Sequence, residues 1–211
     1  MENGYGWYRE EAMSTGLLEI GNRHGTDKFG QHGYHRFYER HFAHLRDREF
    51  TLLEIGIYHG ASLRTWEEYF PKARIIGVDL NPDFAGASFE KAQAVHGDAR
   101  DPAFTSALSD RIGGFDVVID DDGHRMEDQK EAFRNLFPRV KSGGIYVVED
   151  LSTSYWANWG GGPIGMPSTA IEMLKTLVDD VNQEYHKGAL TGPAPISGLH
   201  FYRGIAFIER G

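Results

Sequence analysis

Between residues 51 and 149 the chain alternates short apolar runs with stretches whose apolar residues recur at helical spacing. Residues 51–56 form the first apolar run, closed by Gly56, and residues 61–69 read as a helix stopped by Pro71. A second strand follows at 74–79, then a helix at 82–91 weakened by Gly86, then a poorer strand at 92–97. Asp101-Pro102 opens a helix well, with an N-cap followed by proline at the first position. Residues 115–120 and 144–149 are strongly apolar strands, and 126–137 between them is helical. Short apolar strands alternating with helices predict a parallel sheet covered on both faces. Right-handed crossovers then make the fold doubly wound.

Outside this stretch the pattern changes. Residues 16–48 read as helical with a break at Gly25-Thr26-Asp27-Lys28, and 1–48 as a whole is expected to be an N-terminal helical extension of one domain spanning 1–211. Residues 151–168 are rich in Gly, Trp and Tyr with no period, and 169–186 reads as one long helix. Residues 199–202 and 205–208 are apolar runs separated only by Arg203-Gly204, which predicts a terminal antiparallel hairpin.

Composition narrows the function classes. With 22 Lys and Arg against 31 Asp and Glu the net charge is -9, which argues against a nucleic-acid binder. Zero cysteines exclude disulfides, thiolate metal sites and cysteine nucleophiles. No run approaches the roughly 18 apolar residues that span a membrane. Residues 1–12 carry three glutamates and no apolar core, unlike a signal peptide. The expected setting is the cytoplasm, with no membrane partner.

Candidate chemistry sits at the strand ends, where open α/β sheets bind ligands. The first strand runs into Glu54-x-Gly56-x-x-x-Gly60. The dinucleotide fingerprint fails there, because Tyr58 and Ala61 stand where it needs glycines. That counts against a nicotinamide-dependent oxidoreductase. The looser turn suits a nucleoside without a diphosphate. The second strand ends at Asp79, near the spacing expected for a carboxylate on ribose hydroxyls. Gly97-Asp98 after the third strand offers a carboxylate to an adenine amino group. Gly and Asp are also ordinary turn formers, but three in order behind this loop form a nucleoside cradle.

The fourth strand ends Asp120-Asp121-Asp122-Gly123-His124 and the fifth ends Glu149-Asp150. Neighbouring strands lie about 4.8 Å apart, so Asp121, Glu149 and Asp150 are expected to converge. Clustered carboxylates repel unless a cation neutralises them, and oxygen ligands suit Mg²⁺, Mn²⁺ or Ca²⁺. His124 on the same loop is a natural general base at neutral pH. A metal-coordinated hydroxyl would be easier for it to deprotonate.

The glycine loop, Val78-Asp79 and Gly97-Asp98 together resemble class I S-adenosylmethionine-dependent methyltransferases. That resemblance implies a mostly parallel seven-stranded sheet with an antiparallel terminal hairpin. Gly25-Thr-Asp-Lys28, Gly60-Ala-Ser-Leu63, Ile119-Asp-Asp121, His124 and Val147-Val-Glu-Asp-Leu151 are more specifically similar to the metal-dependent macrolide-sugar O-methyltransferases. Thr153-Ser-Tyr-Trp156 and His200-Phe-Tyr202 also match that family's pattern. Two positions depart from it: Asp122 replaces a loop glycine, and Ser152 stands where the family often has His.

The resemblance implies S-adenosylmethionine and Mg²⁺ (or Mn²⁺) as cofactors. It places Glu54, Gly56, Gly60, Ser62, Asp79, Asp98 and Asp120 on the cofactor side. Thr26, Asp27 and Lys28 would fold over the methionine end, although a helix-ending loop explains them equally on physical grounds. Asp121, Glu149 and Asp150 map to metal ligands and His124 to the base, with Tyr155 and Trp156 beside a sugar substrate. The implied activity is O-methylation of a sugar hydroxyl on a glycosylated natural product. A catechol or other vicinal diol would satisfy the metal as well, and a non-catalytic binding module on the same fold is a further alternative. Relatives on this scaffold often self-associate, so a homo-oligomer is expected.

Overall fold

The computed structural model describes residues 16–211; the expectations for the first 15 residues lie outside the described part. Seven strands form one sheet: β1 (Thr51–Ile55), β2 (Arg74–Asp79), β3 (Gln93–His96), β4 (Phe115–Asp120), β5 (Val140–Val148), β6 (Ile196–Tyr202) and β7 (Ile205–Arg210). Their spatial order is β3-β2-β1-β4-β5-β7-β6. The first five are parallel, and β7 is antiparallel to both β5 and β6. The predicted doubly wound sheet with its terminal hairpin is therefore present.

The central strands bury both faces, while the edge strands β3 and β6 are largely exposed or half-buried. Leu53, Ile55, Val118, Tyr146 and Val148 point into one core, packed beneath α6 (Met126–Leu136). Leu52, Val117, Ile119, Val147 and Phe207 point into the other. Three N-terminal helices close the second core: α1 (Leu17–His24), α2 (Asp27–Gly30) and α3 (His35–Phe42). Leu17, Ile20, Phe29, Tyr38 and Phe42 are fully buried there, around Trp66 of α4 (Ala61–Tyr69). At about 25 cal/mol per Å² of apolar surface, each such side chain contributes roughly 1.5–3 kcal/mol. Residues 17–42 thus pack as a layer against the sheet.

Two predicted helices differ. Residues 82–91 hold only a 3-10 turn, Pro82–Gly86, because glycine interrupts the short run. The helix at 102 is present as α5 (Pro102–Ile112), with the Asp101 side chain capping Ala103 N at 2.8 Å. The long helix expected over 169–186 is broken into α7 (Ala170–Thr176), α8 (Val178–Val181) and α9 (Gln183–His186). Asp180 explains part of the break: it is buried and accepts from Thr191 N at 2.8 Å, Thr191 Oγ1 at 2.9 Å and Gly192 N at 2.7 Å. Its carboxylate satisfies a returning loop instead of facing water. Within 151–168 the structure adds two 3-10 turns, Leu151–Tyr155 and Ala157–Trp159.

Candidate active site

The strand order reverses between β1 and β4, and a cleft of about 380 Å³ opens there. This is where ligands enter open α/β sheets. Register brings the acidic groups to it. Ile55 pairs with Asp120 and Asp120 with Val148, so Asp121 and Glu149 are the next residues on adjoining strands.

The glycine loop is built tightly. Gly56 has φ +94°, and a Cβ there would run into the Asp121 carbonyl. Asp79 clasps the loop: one carboxylate oxygen accepts from Ile57 N at 2.7 Å and Tyr58 N at 3.0 Å, the other from Asn81 N at 2.8 Å. Backbone strain concentrates at the cleft. Tyr58, His124 and Asp150 line it and adopt positive φ of 48°, 48° and 53°. Such conformations cost about 1–3 kcal/mol each and persist where surrounding structure enforces them.

The deep wall is charged. The Lys28 ammonium sits among Glu149 (2.9 Å), Glu54 (3.3 Å) and Asp121. Burial pulls this ammonium down most strongly, yet the three carboxylates together hold it well above its ordinary value. Burial pushes Glu54 up to about 7, against the pull of Lys28. Burial likewise raises Glu149, whose other oxygen accepts from the Tyr38 hydroxyl. One cation faces two buried carboxylates, Glu54 and Glu149, and the half-buried Asp121, which leaves the cluster short of positive charge when all three are ionised.

The shallow wall is formed by Asp121, His124 and Asp150, each bringing a ligand atom within 4.8 Å of the others. His124 Nε2 is 3.6 Å from Asp150 Oδ2, and its Nδ1 is buried without a protein partner. Asp150 Oδ1 accepts from the Tyr34 hydroxyl at 2.9 Å, and that hydroxyl also lies 3.2 Å from the Gly204 carbonyl. The edge of Trp159 meets the His124 ring, with centroids 5.7 Å apart.

Several expected site residues stand elsewhere. Lys28 lines the cleft, with its ammonium bonded to the protein's own carboxylates. Asp27 does line the cleft, whereas Thr26 is buried at the start of α2. Ser62 and Glu54 face inward: Ser62 Oγ donates to Glu54 at 2.9 Å, and Trp66 Nε1 donates to the same oxygen at 3.2 Å. Asp120 is buried, bonded to the Tyr146 hydroxyl at 2.8 Å and pushed by burial up to about 8. Asp98 does not line the cleft. Arg100 grips its carboxylate through Nε and Nη2, both at 2.9 Å, and holds it below its usual range. Gly60 opens α4 with φ +77°. Tyr155 and Trp156 are half exposed and stand outside the cleft; Trp159 is the aromatic that reaches His124. Glu149 faces Lys28 and Tyr38, not the Asp121–His124–Asp150 group. Tyr34, just before α3, and Tyr38 within it reach the Asp150 and Glu149 carboxylates. Their spacing of four puts both on one helical face, which is the signal for them that the sequence carries.

Residues 53–151 match the family model described as a methyltransferase domain. This stretch is a methyltransferase domain. The sheet order around it is the class I methyltransferase fold. The chain is 40% identical over 210 residues to 8-demethyl-8-alpha-L-rhamnosyl tetracenomycin-C 2'-O-methyltransferase of Streptomyces olivaceus, covering 92% of this chain and 54% of that protein. It is 35% identical over 210 residues to mycinamicin VI 2''-O-methyltransferase of Micromonospora griseorubida, covering 92% and 52%. A solved structure of the MycE methyltransferase from the mycinamycin biosynthetic pathway, in complex with Mg, SAH and mycinamycin VI, superposes with a TM-score of 0.81 at 35% identity. That superposition covers 92% of this chain and 54% of MycE. The chain therefore spans about half the length of the relatives it matches. The residues that complete the carboxylate cluster from outside the domain match, Lys28, Tyr34 and Tyr38, belong to the N-terminal layer.

Proposed function

We propose that this chain methylates a sugar hydroxyl of a glycosylated natural product, using S-adenosylmethionine and Mg²⁺. The observation that carries the reading is the meeting of Asp121, His124 and Asp150 at one end of a cleft whose other wall is the Gly56 loop and Asp79. A cleft of about 380 Å³ falls within the usual range of about 300–1,000 Å³ for small-ligand sites. The MycE complex with Mg and SAH supports both cofactors for this chain as well.

The donor set fits a hard divalent cation: carboxylate oxygens, a shortage of positive charge, and room for further oxygen ligands. Asp121 and Asp150 would hold it, and Glu149 would join them if the Lys28 ammonium released its oxygen. When bound, the cation supplies charge neutralisation and a more acidic acceptor hydroxyl. His124, flanked by Asp150 and Trp159, would take the hydroxyl proton on a ring nitrogen. Gly56, Gly60 and Asp79 would orient the methyl donor, with the methyl group facing the acceptor oxygen. Asp27 would lie at the methionine end, and the loop bearing Tyr155 and Trp156 on the acceptor side.

The test is methyl transfer from S-adenosylmethionine to rhamnosylated polyketides and macrolides, with a catechol as comparison, in Mg²⁺ and in EDTA. Transfer to a glycoside that stops in EDTA is expected. His124→Ala should lower turnover by about 10²–10⁴-fold while S-adenosylhomocysteine binds nearly as before. Undiminished turnover in that variant would remove His124 as the base, and transfer to the catechol alone would replace the acceptor class.

A further inference from the structure

A second cluster of metal-ligand side chains lies away from the cleft, where α3 packs on the terminal hairpin. His41, His200 and Glu209 bring one ligand atom each to within 4.8 Å of the others. We infer that these three residues form a transition-metal site, of the kind that takes Zn²⁺ through two imidazoles and one carboxylate.

The placement follows from the sheet. His200 on β6 pairs across the strands with Phe207 on β7, so both point to the same face, and Glu209, two residues on, shares it. The residue opposite Glu209 is Gly198. A Cβ there would meet the Glu209 carboxyl, so the glycine lets this carboxylate lean across the strand. Glu209 Oε1 consequently lies 2.9 Å from His200 Nε2. His41 reaches down from the last turn of α3. Its ring stacks on Phe207, with centroids 4.2 Å apart and planes at 14°, and its Nε2 lies 3.0 Å from the Tyr202 hydroxyl. That stacking fixes the ring plane, and a hydroxyl on an imidazole nitrogen is the sort of outer contact that orients a metal-bound histidine.

The chemistry suits a borderline cation. Two imidazoles and one carboxylate are a known catalytic zinc set, with water in the fourth position. Bond lengths of about 2.0–2.1 Å put tetrahedral ligand atoms about 3.3 Å apart, so the His200–Glu209 pair needs to open by only a few tenths of an ångström. The cluster is reachable from solvent, with the His200 and Glu209 side chains 40% and 37% exposed. Burial and the neighbouring His200 lower His41 to about 4, which leaves it in the neutral, ligating form at neutral pH. The two sites differ in donors: the cleft is mainly oxygen, and this cluster is mainly nitrogen.

The experiment is equilibrium dialysis of the full chain against Zn²⁺ in excess Mg²⁺, with Co²⁺ substitution to read coordination from its visible absorption. One Zn²⁺ per chain and a tetrahedral Co²⁺ spectrum are expected. Each of His200→Gln and Glu209→Gln should weaken binding at least about tenfold, and Asp121→Asn should leave it in place. Glu209→Gln keeps the side-chain shape at a partly exposed position, so loss of folding would not account for its effect. Absence of Zn²⁺ binding, binding unchanged in both hairpin variants, or binding lost in Asp121→Asn would each overturn the assignment.

Discussion

Lys28 is the residue on which the charge balance of the site turns. It is buried, and its ammonium touches three carboxylates that converge from β1, β4 and β5. Removing one partner from a buried ionic cluster costs about 3–5 kcal/mol. Lys28→Met should therefore lose that much in urea unfolding, and Mg²⁺ should restore more stability to the variant than to the parent chain. An equal Mg²⁺ effect in both would show that the carboxylates do not share a cation site with the ammonium. Gly56 is constrained by backbone rather than charge: its positive φ and its closeness to the Asp121 carbonyl leave no room for a Cβ. Gly56→Ala should weaken S-adenosylhomocysteine binding by about tenfold or more, on a strain of about 1–3 kcal/mol, as read by calorimetry. Unchanged affinity would show that the loop does not form the cofactor wall.

At the scale of elements, the parallel strands and the glycine loop were legible because they are written in local runs. The apolar runs at 51–55, 74–79 and 115–120 each became a strand. The pairing of Asp121 with Glu149 followed from strand adjacency alone. What was hidden depended on long-range contacts. Lys28 reads as a loop cation until α2 is folded under Glu149, 121 residues away. His41 and His200 are 159 positions apart and share no motif, so their meeting is a product of α3 packing on the hairpin. The helix over 169–186 is broken in part because Asp180 turns inward to hold residues 191 and 192, which periodicity does not register. The cap of α5 was legible from Asp101-Pro102, and neither residue lines the cleft. Asp101→Ala should cost about 1 kcal/mol in chemical unfolding and leave S-adenosylhomocysteine affinity unchanged. A change in affinity would mean that α5 is coupled to the cleft.

At the scale of the molecule, the methyltransferase domain match covers residues 53–151, yet the site extends beyond it. Tyr34 and Tyr38 reach the Asp150 and Glu149 carboxylates from the N-terminal layer, and Gly204 in the hairpin turn meets the same Tyr34 hydroxyl. The first helices and the last strands therefore act on the same few carboxylates as the central sheet. Among the described residues no helix is long and apolar enough to cross a membrane. The central claim is that one cleft binds both the methyl donor and a divalent cation. Thermal unfolding with S-adenosylhomocysteine, in Mg²⁺ and in EDTA, tests it without knowledge of the acceptor. At 100 times its dissociation constant the ligand should add about 2.7 kcal/mol, a rise of about 5–10 °C for a domain of this size, with a further rise in Mg²⁺. No shift with S-adenosylhomocysteine in either condition would contradict the account.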